Sequence, residues 1–193
     1  MNTEPYALQQ QHLPREGQNV IANHTADTLI VYQAFKPEIA DYAVRQQAFG
    51  GPHYKHGRMT WIKPGFLWMM YRSGWATKTD QERILRLTIT RSGWDTLLAK
   101  AVYSSFQADQ YPDRAAWKAA LAASDVRLQW DPDHGPGGQK LSRKAIQIGL
   151  RGNSLAAFHR EYLLKIEDIT PFVADQRDKR GMDLMVPVER IVR

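Results

Sequence analysis

The dipeptide Pro64-Gly65 interrupts a set of three tryptophans spaced seven apart, Trp61, Trp68 and Trp75. A seven-residue apolar spacing is what one stripe of a long helix would show. Proline has no amide for the helical ladder and its ring collides with the preceding turn, so no single helix can pass through all three. The stretch RMTWIKPGFLWMMYRSGWATK, Arg58 to Lys78, must therefore break into pieces. RMTWIK reads as a strand, Pro64-Gly65 as a turn, and FLWMMYR as a second apolar element that periodicity alone does not assign, closed by Ser73-Gly74.

The same stretch holds three of the six tryptophans, three of the six methionines, two arginines and two lysines, and no acid. A buried element sheds charge and a solvated one sheds tryptophan, so this mixture is pulled two ways and marks a candidate site. The net charge of +6 sharpens the point. Between Lys55 and Arg91 there are eight Lys or Arg and two acids, which leaves eighteen of each elsewhere. All the excess lies in this one window, where it raises the local potential for an anionic partner.

The remaining organisation is that of one α+β domain. At 193 residues the chain can fill one core, and 43% hydrophobic content with 24% charged residues is ordinary for a globular chain. Residues 1–27 show no periodicity and read as a loosely held arm, 28–174 as the domain, and 175–193 as a polar, exposed tail. TLIVYQA predicts a buried strand, and KPEIADYAVRQQAF a helix opened by Pro37 and stopped at Gly50-Gly51-Pro52. ERILRLTITR predicts a half-buried strand with Leu85, Leu87 and Ile89 on one face. Ser92 with Asp95 resembles a capping box opening a helix, and Asp113 caps another. VRLQW predicts a strand, DPDHGPGGQK a loop, KAIQIGL a strand, Asn153 to Arg160 a short helix, and EYLLKIEDITPFV a strand ended by Pro171. Together these give a largely antiparallel sheet with flanking helices.

Several chemistries are excluded or weak. With no cysteine there is no disulfide, thiolate metal site or cysteine nucleophile. The start of the chain is not a signal peptide and the longest apolar run is too short to span a membrane, which leaves the cytoplasm as the expected location. His53 and His56 lack a third ligand, so no metal site is assigned. Asp131, Asp133 and His134 read as turn residues, since DPDHGPGG has the composition tight turns require. Trp61, Phe66, Leu67, Trp68 and Met69 read as core. Tyr71, Arg72, Ser73 and Trp75, beside Gly74, read as site, because a glycine-bearing loop lets a ligand approach the backbone. Glu161, at the start of the last predicted strand, is a candidate functional carboxylate or an edge-strand charge.

Taken in order, VYQAFKPEIADYAV, the Arg58–Lys78 stretch, LQWDPDH, KAIQIGL and IEDIT resemble the bacterial family called domain of unknown function 4291, over about Asp27 to Val173. A fainter similarity is to ADP-ribosyltransferases, which share a small mixed fold with a split antiparallel sheet and take NAD as donor. That resemblance implies a grip on NAD by Tyr32 and Gln33, with Gln33 where His or Arg is usual. It implies an aromatic wall from Tyr71 and Trp75 flanked by Ser73, and a catalytic Glu161 that stabilises the oxocarbenium-like state. Arg58, Lys63 and Arg72 would meet the pyrophosphate. On that reading the partners are an anionic nucleotide and a nucleic acid or protein acceptor. The alternative is a non-catalytic RNA- or DNA-binding module, which needs the same basic aromatic wall and no essential acid.

Overall fold

Twelve strands and seven α-helices follow one another along residues 1–193, all of which the computed structural model describes. The chain begins with β1 (Thr3–Pro5), α1 (Tyr6–His12), β2 (Gly17–Gln18), β3 (Ile21–Ala22), β4 (Thr28–Phe35) and α2 (Pro37–Gln46). Next come β5 (Thr60–Ile62), α3 (Phe66–Ser73), β6 (Arg83–Thr90), α4 (Arg91–Ala99), β7 (Val102–Tyr103) and α5 (Arg114–Ala123). The hairpin β8 (Val126–His134) and β9 (Lys140–Leu150) leads to α6 (Gly152–Ala157), a π-helical turn (Phe158–Tyr162) and β10 (Leu163–Asp168). The chain ends with α7 (Thr170–Gln176), β11 (Met185–Pro187) and β12 (Arg190–Ile191). No helix is long and apolar enough to cross a membrane.

The class is α+β, as the unperiodic interspersion of elements predicts. A small sheet has the order β10-β6-β4, all antiparallel, and a larger one the order β2-β9-β8-β7 with β5 on β9. Only the β2–β9 and β7–β8 pairs are parallel. The two sheets meet at one bridge, where Tyr32 and Lys63 exchange backbone hydrogen bonds of 2.7 and 3.2 Å. Alternation then sorts the side chains. Leu29 and Val31 of β4, Leu85, Leu87 and Ile89 of β6 and Ile166 of β10 face a core shared with Ile62, Leu128, Ile146, Ile148 and Phe158. Ile30, Tyr32 and Ile84 face the other way, onto α3 and α7, in a second core with Phe66, Met70 and Val173.

FLWMMYR is helical. Gly65 stands at its N-cap, and Gly74, at φ 59°, closes it in the left-handed region that a glycine tolerates best. The α2 helix ends before the glycines, at Gln47, whose φ of 51° is offset by three side-chain bonds, to Val44 O and to both backbone polar groups of Ile166. The cap of α4 is Thr90, which accepts from Gly93 N–H, and not Ser92. Asp113 caps α5 through Ala116 N–H, as expected.

Three expectations need correction. The arm and the tail are ordered on each other: β1 pairs with β11 and β3 with β12, antiparallel. These strands lie almost the whole chain apart and are two or three residues long, so no local periodicity could announce them. DPDH is strand, since side-chain partners of Asp131 and Asp133 across the hairpin hold turn-prone residues extended. Finally, EYLLKIEDITPFV is not all strand. Its first two residues close the π-helical turn, and Pro171 sits in the first turn of α7.

Candidate functional site

Because Thr60 and Ile62 of β5 turn inward, Trp61 and the following Lys63 share the outward face of the larger sheet. The register places Gly149 directly opposite Trp61. A Cβ there would stand 3.0 Å from Trp61 Cε2 and Cζ2 and 2.9 Å from Met59 Sδ, so the bare backbone is what lets the half-buried indole lie on the strand. Gln147, Gln129 and Asp131 occupy the same outward face. Asp131 is fixed there, accepting from Gln129 Nε2 at 2.8 Å and from Gln147 Nε2 at 2.7 Å.

Lys63 is 7% exposed, and its ammonium makes no hydrogen bond or ion pair. Burial, with Arg72 adding to it and Asp131 opposing it, lowers the ammonium to about 8. Lysine is seldom buried without a partner, and a titratable group perturbed this far is a site signal.

Arg72 arrives from α3, where Trp68, Tyr71 and Arg72 follow a three- and four-residue spacing that puts them on one flank. The Tyr71 ring stacks on His134, at the end of β8, with centroids 3.5 Å apart and planes at 10°, and Trp68 stacks on both. Three buried nitrogens in this trio, both of His134 and Nε1 of Trp68, have no partner of ordinary geometry. Burial lowers the His134 imidazole. Lys78 Nζ donates to the terminal carbonyls of Tyr71 and Arg72, at 3.3 and 2.8 Å, and lies 5.8 Å from the Tyr71 ring.

Behind α3 lies a second polar group. Arg143, 5% exposed, donates to Asp133 Oδ2 at 2.6 Å and to Gln10 at 2.7 Å. Glu189, from the C-terminal segment, accepts from Phe66 N–H at 2.8 Å and so caps the start of α3, and burial raises its carboxyl to about 8. A cavity of about 20 Å³ between these groups has room for about one water. An open hollow of about 430 Å³ beside it is lined by Gln10, Arg15, Lys140, Ser142 and Arg143. Neither takes in Lys63, which lies nearly buried on the outward face of the larger sheet.

The chain matches the family described as Domain of unknown function (DUF4291) over residues 19–191. It belongs to that family. No curated protein matches it. The DUF4291 span takes in the floor, α3 and the C-terminal segment that caps it.

Of the residues singled out in this DUF4291 chain, Lys63 and Arg72 come together, and Tyr71 stands beside Arg72 on the same flank of α3. Ser73 and Trp75 serve the end of α3: Ser73 is buried with its hydroxyl on Met69 O, and Trp75 donates to Pro136 O at 3.2 Å and packs edge-on to Phe66. Tyr32 is fully buried behind the helix, edge-on to the same phenylalanine. Gln33 faces the opposite side of β4, donating to Thr60 Oγ1 at 2.6 Å and Trp61 O at 3.2 Å. Arg58 is exposed in the loop before β5. Glu161 is exposed in the π-helical turn, whose Phe158 and Tyr162 pack in the core on the face of the small sheet opposite α3. Gln33, Tyr71 and Glu161 therefore do not line a common cleft. No three His, Cys, Asp or Glu side chains are grouped as metal ligands. Trp61, expected in the core, and Asp131 and His134, expected in a turn, belong to the floor or its edge. The alternation of Thr60, Trp61, Ile62 and Lys63 was the available signal for the first of these.

Proposed function

We propose that this protein is a binding module for a flat, phosphate-bearing ligand of the nucleotide type, held on the outward floor of the larger sheet. The observation that carries the reading is Lys63, a nearly buried ammonium with no counter-ion in contact, beside a half-buried tryptophan and an exposed arginine. Taking an ammonium out of water costs several kcal/mol, and removal from water also strengthens its attraction for an arriving anion. Lys63 and Arg72 would meet the phosphate, arginine with its planar fork. The open side of Trp61 would take the ring, where stacking is worth roughly 1–3 kcal/mol per base. Asp131, an acceptor held by two amides, suits sugar hydroxyls. Tyr71 contributes an edge, because His134 covers one face of its ring and Lys78 lies over it.

Cleavage of NAD drops out of this reading, because the carboxylate that the transferase pattern requires, Glu161, belongs to another face of the protein. A second reading, single-stranded nucleic acid, is favoured by the open hollow lined by Arg15 and Lys140, which offers further cations to a phosphate backbone. Calorimetry of ADP, NAD and a short oligonucleotide tests both. The expected result is saturable heat with ADP and NAD that Arg72→Ala weakens while the protein stays folded. Binding of the oligonucleotide alone, with affinity falling steeply as salt rises, would replace the first reading by the second. No heat with any of the three at low salt overturns both.

A further inference from the structure

We infer that Lys63 is a carbonyl-reactive amine, which forms an imine with a small anionic aldehyde or 2-oxo acid bound on the same floor. The inference shares its anion contact, Arg72, with the binding reading, but the reactivity of the amine stands on the surroundings of Lys63 alone. Most lysines are poor nucleophiles near neutrality because they are protonated and solvated, and the known remedy is an apolar site with another cation nearby. Lys63 has both. It is 7% exposed, stands on the outward face of the larger sheet, and feels Arg72 of α3 as a perturbing cation. No carboxylate is bonded to it to hold the proton in place.

The charged groups acting on it are Arg72 from α3 and Asp131 from β8, while β9 offers Gln147 on the same face and the bridge to β4 offers Tyr32, a fully buried phenol held well above its usual range by burial. With its ammonium lowered to about 8, a fraction of about one tenth is free amine at pH 7. The lone pair of that nitrogen attacks the carbonyl carbon, and the π pair of the C=O bond moves to oxygen, which takes up a proton. The carbinolamine then loses its oxygen as water while the nitrogen gives up its remaining protons. The net change is one amine and one carbonyl to one imine and one water, with no redox step. Asp131 is the base within electrostatic reach of Lys63 that can carry the proton from nitrogen to the departing oxygen, and its two amide donors hold it in place.

The test uses the full chain with pyridoxal 5′-phosphate and with pyridoxal, each followed by borohydride reduction and peptide mapping by mass spectrometry. Lys63 should carry the label at pH 8 ahead of the nine other lysines, although it is far less exposed than Lys55, Lys78 or Lys140. Its labelling should rise with a midpoint near pH 8, against about 10.4 for an ordinary lysine. The phosphorylated probe should label Lys63 at least about five-fold faster than pyridoxal, and Arg72→Ala should abolish the difference, consistent with the usual worth of a charge-assisted contact. Label confined to exposed lysines, or a Lys63 profile like theirs, overturns the inference. If ADP still gives saturable heat while Lys63 stays unlabelled, the covalent step fails and the binding reading stands. If Lys63 labels at pH 8 equally with both probes, the amine stands and Arg72 loses its role in the binding reading.

Discussion

Replacing Lys63 by methionine should make the protein more stable, and by an amount that depends on pH in one direction only. Methionine has nearly the reach of lysine and no charge to desolvate. A lysine that titrates at 10.5 unfolded and at about 8 folded binds its proton less tightly in the native state. At 1.36 kcal/mol per pH unit this amounts to about 3 kcal/mol of native-state penalty. The sign follows from linkage: below pH 8 both states carry the proton and the penalty is complete, and between 8 and 10.5 only the unfolded state holds it, so wild-type stability rises with pH. Lys63→Met removes the penalty at every pH. The variant should therefore exceed the wild type by up to about 3 kcal/mol at pH 7, roughly 6–12 °C in Tm for a chain of this size. The gap should close as pH approaches 10.5. Asp131 is not orphaned by the change, because its bonds come from Gln129 and Gln147. Urea unfolding of both proteins at pH 7, 8, 9 and 10 reads the gap directly, and other titrating groups cancel in the difference. A methionine variant less stable than wild type at pH 7, or a gap that ignores pH, would refute the argument that Lys63 is held against its solvation.

Gly149→Ala should cost about 1–3 kcal/mol by overpacking, since the new methyl meets Trp61 at 3.0 Å and Met59 at 2.9 Å; it should also weaken ADP binding about ten-fold or more. Scanning fluorimetry and calorimetry check the pair, and unchanged binding would mean that Trp61 is not the platform. Asp133→Ala leaves the Arg143 guanidinium buried with only Gln10 and Pro14 O as acceptors, and should destabilise by about 3–5 kcal/mol in urea, with Asp133→Asn milder. Glu189→Gln keeps an oxygen for Phe66 N–H. Burial raises this carboxyl from 4.5 to about 8, so wild-type stability is present below 4.5 and falls as pH climbs to 8. The variant should match the wild type near pH 4 and surpass it at pH 8, and a constant difference across that range would count against the burial argument.

What was legible in the sequence is what local sterics and period decide. Leu85, Leu87 and Ile89 alternate and share a core; Pro37 opens α2, and Pro64-Gly65 separates β5 from α3. FLWMMYR was not legible because it is apolar nearly all round: five of its residues are buried in a row, so neither a two- nor a 3.6-residue period stands out. The terminal strands escaped for a different reason. Thr3 pairs with Pro187 and Ala22 with Arg190, and a strand of two or three residues is too short to show a period or a preference of its own until the partner exists. In the site, type and place came apart. The basic aromatic stretch holds the groups of the proposed floor, but the ADP-ribosyltransferase resemblance joins Glu161 to Tyr71 only by their order along the chain, which says nothing about faces. One sheet lies between the cores to which their neighbours belong.

The three tryptophans show how the conflict between charge and aromaticity in this stretch is resolved. Each goes to a different environment: Trp61 lies on the outward floor, Trp68 is buried in a stack with His134, and Trp75 pins the hairpin loop through Pro136 O. Their equal spacing therefore has no structural meaning, because the turn at Pro64-Gly65 resets the direction in which side chains point. The cations divide likewise. Lys78 is absorbed by the carbonyls that end α3, as the helix dipole favours, whereas Lys63 and Arg72 are not neutralised by any acid in contact. A chain selected only for stability would put methionine or leucine at position 63, since the backbone bridge to Tyr32 needs no ammonium. Retaining a charge there, at a cost of several kcal/mol, is explicable if the charge meets something that arrives from solution.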